Sequence, residues 1–333
     1  MAVLAISFIK MNRTLLKRII GDYFSNEKWL HIEKLKGGLT NHNYRLRMAN
    51  SESYFLKIFR KTEITRIIGI SALIKGITDF HFPTPELIIC KNGEYYWQDG
   101  IQSAIITRFI EGEYPRKNTT NLYKIGVILG MLHQIPVKAK LVEGYSLQYS
   151  RQKTILEQNS QILSPDLLEF LNIADPILQT IPKTGFPESI IHGDVFLDNL
   201  LINEFGDIFF IDFEGGCIDK SIFDLARAFI GCAIENKSLN LNYILAMVTG
   251  YNISRKLSPL EHDFLFEYIV YAGTISSLWR FIEFNIMRTN ENKSHLYKEL
   301  LEPTLRFVQT GKKSFLKALY ENQQTAENAK AKP

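Results

Sequence analysis

The chain is poor in cysteine: among 333 residues there are three, Cys90, Cys217 and Cys232, and no CxxC pair. An odd count in a chain of this length argues against a disulfide framework and fits a reducing compartment, so the cytoplasm is the expected location. No apolar run approaches the roughly 18 residues that a membrane-spanning helix needs, and no membrane partner is expected. The opening MAVLAISFIK lacks a basic leader region and a small-residue cleavage site, so it reads poorly as a signal peptide. Met11 begins a cleaner amphipathic stretch, MNRTLLKRIIGDYF, which raises Met11 as an alternative start to Met1. Charge of one sign is also scarce. The formal net charge is +4, spread along the chain without a basic stripe, so nucleic acid is not an expected partner. There is no internal repeat and no low-complexity tract; only the tail from about Glu321 to Pro333 reads as solvated and frayed.

What is present is core material. Hydrophobic residues make up 46% of the chain, enough for two packed lobes. Residues 11–25 carry Leu15, Leu16, Ile19, Ile20 and Phe24 at helical spacing. NYRLRM and SYFLKIF alternate polar and apolar residues around the turn MANSES, and PTPELIIC, GEYYWQ and SAIITRFI read as further strands. A helix fits 62–79. After the break Glu111-Gly112-Glu113-Tyr114-Pro115 the pattern turns helical: NLYKIGVILGMLHQI, stretches near 150–180, then 222–235, 240–252, 259–288 and 296–320. The expected fold is α+β and bilobal, with an antiparallel β-rich lobe over 1–110 and a larger α-helical lobe over 111–333. Clefts between lobes are favoured ligand sites.

One stretch breaks the helical run. IIHGDVFLDNLLINEFGDIFFIDFEGG holds His192, Asp194, Asn199 and Asp212 around a strand-turn-strand. Asn199 follows Asp194 by five positions, and the hairpin LLINEFGDIFFI would return Asp212 beside Asn199. An amide oxygen and a carboxylate are hard ligands suited to Mg²⁺ on nucleotide phosphates. Asp194 is then left to accept a proton from an attacking hydroxyl. These are the parts of a phosphoryl-transfer centre. Singly, HGD reads as a capped turn and IDF as a strand end; the ordered set is what carries the chemistry.

The β-rich lobe should supply a phosphate-binding cation. Lys57, in YFLKIF, lies among apolar residues, where a strand lysine should face something anionic; the alternative is a surface lysine on an edge strand. Gly37 and Gly38 form a turn upstream, where a phosphate-covering loop would lie, with Asn41 and Asn43 able to add hydrogen bonds. The turn does not match GxGxxG and is equally an ordinary hairpin.

Taken in order, GGLTNHNYRL, YFLKIF, IIHGDVFLDN, IDFE and FDLA resemble the aminoglycoside phosphotransferase and choline kinase superfamily, over nearly the whole chain. Within it, HGDVFLDN, IDFEGGCIDKSIFDLA and GYNISRKLSPLEHDFL look most like the homoserine kinases of the kinase-like type. The resemblance implies a protein-kinase-like fold, ATP with Mg²⁺, and adenine bonded to the backbone of ITRFIEG. It implies that Lys57 contacts the α/β-phosphates, Asp194 is the catalytic base, and Asn199 and Asp212 hold the metal. His192 and, from a helix, Asp224 would brace the catalytic loop. The chain departs from the pattern twice. The helix after Lys57 has no glutamate at the expected place, with Glu63 the nearest and early, and Glu214 stands where the metal motif often has glycine.

Only twelve positions separate Asp212 from Asp224, and A-P-E is absent, so no activation segment docks a peptide. The expected acceptor is a small hydroxyl compound. For homoserine, Arg280, with Glu283 on the next turn, could meet the carboxylate, and Asp198 and Glu214 the ammonium; Arg280 and Glu283 are equally a surface i,i+3 pair. Choline would want an aromatic cage, for which Tyr268, Tyr271, Trp279, Phe281 and Phe284 are available, though their spacing reads as core. A choline, amino-alcohol or aminoglycoside kinase is the alternative enzyme. A nucleotide-binding pseudokinase scaffold is the alternative of another class, supported only by the missing helix glutamate. His133, on a mostly apolar helix face, reads as packing rather than as a metal ligand.

Overall fold

The computed structural model describes residues 2–24, 29–35, 41–59, 63–136 and 149–330. Gly37 and Gly38 lie outside the described residues. The chain forms two compact units, 1–112 and 113–333.

The first unit is built on an antiparallel sheet. Its strands are β1 (Trp29–Lys34), β2 (His42–Met48), β3 (Ser53–Phe59), β4 (Trp97–Gln98) and β5 (Ser103–Arg108), in the spatial order β1-β2-β3-β5-β4. Helix α1 (Ala2–Tyr23) starts well before Met11. It buries Leu16, Ile19, Ile20 and Tyr23 against one face of the sheet, where Tyr44, Leu46, Met48, Tyr54, Leu56 and Ile58 alternate inward. Helix α2 (Ile64–Thr78) follows β3.

PTPELIIC departs from expectation. It is not a ladder strand: Leu87 makes an isolated bridge to Thr107, and only Ile88 N–H and the Glu86 carbonyl bond regularly to β5. Pro83 and Pro85 have no N–H to give, which explains why the pairing does not propagate.

The second unit is mostly helical: α3 (Thr119–Leu132), α4 (Tyr149–Gln158), α5 (Pro165–Leu178), α6 (Ser221–Cys232), α7 (Leu241–Ser254), α8 (Pro259–Ile282), α9 (Lys298–Thr310) and α10 (Lys312–Lys330). Helix α8 is the hub, packing on α4, α5, α6 and α9. Its start is set by a capping box in which Ser258 Oγ accepts from Glu261 N–H and the Glu261 carboxylate accepts from Ser258 N–H. Helices α3 and α7 lie so close that a Cβ at Gly250 would fall 2.0 Å from the Tyr123 carbonyl oxygen, which fixes glycine there. The tail is helical through Lys330, not frayed from Glu321; α10 is separated from α9 at Gly311, where φ is 79°.

Three short antiparallel pairs interrupt the helices. β6 (Glu188–Ile191) pairs with β9 (Cys217–Lys220), β7 (Leu200–Ile202) with β8 (Ile208–Phe210), and β10 (Ile234–Glu235) with β11 (Ser238–Leu239). β6 and the β7–β8 hairpin deliver the Asp194 and Asp212 segments.

Candidate active site

The loop 192–199 leaves β6 and is held from three sides. From α6, Asp224 takes the loop backbone in a two-pronged grip: its Oδ2 accepts from His192 N–H at 2.7 Å and its Oδ1 from Gly193 N–H at 2.8 Å. From the hairpin, the Ile211 carbonyl accepts from His192 Nε2 at 2.9 Å, and Asn199 carbonyl accepts from Ile211 N–H at 3.0 Å. His192 Nδ1 in turn accepts from Asp194 N–H at 3.2 Å, so its proton sits on Nε2. The third contact is steric. A Cβ at Gly231 of α6 would lie 2.0 Å from the Val195 carbonyl oxygen, so only glycine lets the helix and loop approach.

Asp224 is fully buried. Burial alone would raise its carboxyl, but the hydrogen bond from His133 and the charges and amide around it outweigh that and hold it below the usual carboxylate range. His133 Nε2 lies 3.1 Å from Asp224 Oδ2, and its Nδ1 is 2.7 Å from the Tyr251 hydroxyl. His133 is therefore a polar partner of Asp224 at the C-terminus of α3, not apolar packing. Nothing in the local sequence signals this, because the partner lies 91 positions away.

Asp194 is engaged at both oxygens. Its Oδ1 accepts from Arg227 Nη2 at 2.7 Å. Its Oδ2 and its backbone carbonyl both accept from Asn199 Nδ2, at 3.0 and 2.8 Å. With the amide nitrogen so used, the atom of Asn199 left for ligation is an oxygen. Asp212 is exposed and adopts a left-handed backbone, φ 66° and ψ 62°, a conformation that aspartate tolerates better than most residues. Among the described residues no group of three or more His, Cys, Asp or Glu is poised for a metal. Asn199 Oδ1 and the Asp212 carboxylate are hard oxygen donors of the kind that Mg²⁺ takes, and would be the residues to hold it.

Asp198 shares this neighbourhood. Burial pushes its carboxyl above the usual range, and Asp194 and Asp212 push the same way, while its own backbone amide and Arg280 pull it back. So Asp194, Asp212 and Arg280 each act electrostatically on Asp198. Glu214 lies half-buried in the 3₁₀ turn Phe213–Gly215. Arg280 pairs with Glu299 at 2.9 Å and donates to the Leu296 carbonyl at 3.1 Å; Glu283 pairs with Arg288. Tyr268, Phe281 and Phe284 are buried core, with Phe281 edge-on to Tyr297.

In the first unit Lys57 occupies the central strand β3, with Asn43 and Ile105 as its cross-strand neighbours, and is only 5% exposed. A surface lysine on an edge strand is thereby overturned. Asn41, half-buried, stands just before β2. Glu63 is exposed at the N-cap of α2 and makes no capping bond.

The sequence reading offered Arg227 only as the next candidate after Arg280 to hold an acceptor carboxylate, not as the partner of Asp194. Arg227 had a signal: it stands three residues after Asp224, on the same face of α6.

The fold and these carboxylates define a phosphotransferase. Residues 31–252 match the Phosphotransferase enzyme family (APH), and the chain belongs to it. It is 27% identical over 232 residues to the homoserine kinase of Nitrobacter hamburgensis, covering 67% of this chain and 70% of that protein. Among solved structures, a microcompartment-associated aminopropanol kinase superposes with a TM-score of 0.70 at 14% identity, covering 92% of this chain and 99% of that one. The amicoumacin kinase hAmiN, in complex with AMP-PNP, Ca²⁺ and Ami, superposes with a TM-score of 0.69 at 15% identity, covering 88% and 94%. Among the described residues no helix is long and apolar enough to cross a membrane.

Proposed function

We propose that this chain is an ATP-dependent kinase of a small hydroxylated metabolite, and that L-homoserine is the acceptor, converted to O-phosphohomoserine for threonine biosynthesis. The observation that carries the kinase reading is the Asp194 carboxylate, fixed at both oxygens in a loop whose backbone Asp224 grips. The acceptor reading draws support from the homoserine kinase relative and from Asp198 and Arg280, an acid and a base in one electrostatic neighbourhood. An amino acid carries the complementary ammonium and carboxylate. Three buried free thiols suit a reducing cytoplasm.

In the reaction the acceptor oxygen forms a bond to the γ-phosphorus as the bond to the β-phosphate oxygen breaks. The hydroxyl proton passes to Asp194. Asn199 and Asp212 would hold Mg²⁺, which neutralises charge on the phosphates. On the resemblance, Lys57 serves the α- and β-phosphates, with Gly37, Gly38 and Asn41 in the covering loop. His192 and Asp224 keep the loop in register. The transition state is loose, so positioning and charge matter more than strong basicity.

The test is purified protein with ATP and Mg²⁺ against a panel: homoserine, choline, 1-amino-2-propanol, an aminoglycoside and no acceptor. Homoserine-dependent ADP release with O-phosphohomoserine as product is expected. Turnover with choline or an amino alcohol but not homoserine would overturn the acceptor and leave the kinase. ATP binding without turnover on any acceptor would favour a pseudokinase scaffold.

A further inference from the structure

Helix α6 is buried along almost its whole length, from Ser221 to Ile230 and again at Cys232. A charged residue inside such a helix needs a reason, because replacing a buried ion pair with apolar side chains is often neutral or stabilising. Asp224 has its reason in the loop backbone it grips; Arg227 is the second such residue. Its side chain is 6% exposed, whereas its partner Asp194 is 40% exposed. The guanidinium is held from three directions: Nη1 donates to Ser276 Oγ of α8, the plane lies over the Phe196 ring with Cζ 5.0 Å from the centroid, and Nη2 donates to Asp194 Oδ1 at 2.7 Å. The remaining donor, Nε–H, is buried without a hydrogen-bond partner. A group that only satisfied itself would not leave a donor unused. The side chain is set to aim one nitrogen at one carboxylate oxygen, at the cost of another.

We infer that Arg227 is a positioning residue for phosphoryl transfer. It claims Asp194 Oδ1 from the protein interior, so that Oδ2, shared with Asn199 Nδ2, is the oxygen that receives the acceptor hydroxyl proton. Without it the carboxylate is free to rotate about χ2, and its second oxygen competes for the hydroxyl. Phe196 and Ser276 act through Arg227, the ring by covering its face and the hydroxyl by fixing its far end. This assignment rests on the kinase reading above and deepens it. It also removes Arg227 from the groups available to hold an acceptor carboxylate, since two of its nitrogens are committed within the protein.

The test compares Arg227→Met, Arg227→Lys and Ser276→Ala with wild type, using whichever acceptor the wild type turns over. Positioning predicts that Arg227→Met lowers kcat about ten- to a hundredfold, the range of one charge-assisted hydrogen bond, with KM for ATP unchanged. Arg227→Lys should recover part of that loss and Ser276→Ala should lose a few-fold. Free guanidinium chloride at low concentration should partly restore Arg227→Met, where equal potassium chloride does not. A kcat within twofold of wild type in Arg227→Met overturns the inference, and so does a fall in kcat with no recovery from Arg227→Lys or guanidinium, which marks mere packing. A readout independent of turnover separates this from failure of the kinase reading. In a thermal-unfolding double-mutant cycle, Asp194→Asn and Arg227→Met should be strongly non-additive. Non-additivity in a protein inert on every acceptor would uphold the contact and overturn the kinase reading; additivity would overturn the contact itself.

Discussion

The 192–199 loop and the Arg280 region are both polar, and they are built in opposite ways. Around the loop the groups that brace it are inside: Asp224 is fully buried and takes two backbone amides and the His133 imidazole. Around Arg280 the side chain is 23% exposed, and its partner Glu299 is 58% exposed. A buried network tolerates one arrangement, since each lost partner strands another group. A surface pair is screened and exchanges readily with water or a ligand. On the proposed function, the difference would separate a locked part that performs transfer from a part in which Arg280 could trade Glu299 for a substrate carboxylate.

The comparison breaks hardest at the transfer carboxylate. Asp194→Asn is expected to lower kcat by about 10²–10⁴-fold, the usual worth of a placed proton acceptor, while ATP binding by calorimetry stays near wild type. The same change should lower the melting temperature, because it leaves Arg227 buried opposite a neutral amide. Wild-type-like turnover would remove Asp194 from the mechanism.

Asp224→Ala should cost about 3–5 kcal/mol of stability, the range for breaking a buried charged network, and should take loop function with it. The sign of the pH dependence follows from the Asp224 carboxyl, held in the folded protein below the ordinary value of 3.8 that it has when unfolded. Its contribution is full above that unfolded value and is lost as pH falls through the lower folded value. Urea titrations of wild type and Asp224→Asn between pH 6 and 2 should therefore converge toward the acid end. Parallel curves would mean that Asp224 does not carry this linkage.

Asp212→Ala addresses the metal. If Asp212 is the proposed anionic ligand, calorimetric ATP affinity should lose most of its dependence on Mg²⁺. An unchanged Mg²⁺ titration would point the carboxylate elsewhere.

The smallest effects belong to the surface pair. Arg280→Ala should raise KM for homoserine by about tenfold or more, the worth of a charge-assisted contact, and leave KM for ATP and slow ATP hydrolysis by water unchanged. Glu299→Ala should change stability by only about 0–1 kcal/mol, and by freeing Arg280 should lower KM for homoserine rather than raise it. If Arg280→Ala leaves the homoserine KM alone, the acceptor carboxylate is held by a backbone amide or another cation.

Some of the molecule was legible residue by residue. The alternation of Tyr44, Leu46 and Met48 and of Tyr54, Leu56 and Ile58 defines strand faces by itself, since side chains in a strand have period two. The hairpin between Asn199 and Asp212 was legible too, since a short strand-turn-strand returns Ile211 to Asn199, whereas the hold of Asp224 and Arg227 on the loop comes from elsewhere in the chain. The proline-rich 83–90 segment misled, since its apolar content suggested a strand that its missing N–H groups do not allow to propagate. The C-terminal tail misled in the other direction, as the helix runs on to Lys330.

By itself, then, the sequence determined what is local: strand and helix periodicities, the hairpin, and which residue types could do phosphoryl chemistry. Only the tertiary structure decided what those residues touch. Lys57 is buried because β3 lies between β2 and β5, which a single strand's pattern does not reveal. His133 meets Asp224 across 91 positions, and Arg280 meets Glu299 rather than Glu283 because α9 passes alongside α8. Arg227 meets Asp194 because a glycine at 231 lets α6 close on the loop. The physical reason is the same in each case. Local pattern sets backbone conformation through short-range sterics, whereas a long-range polar contact is the outcome of how whole helices pack, and its energy is settled by a burial that only the assembled core creates.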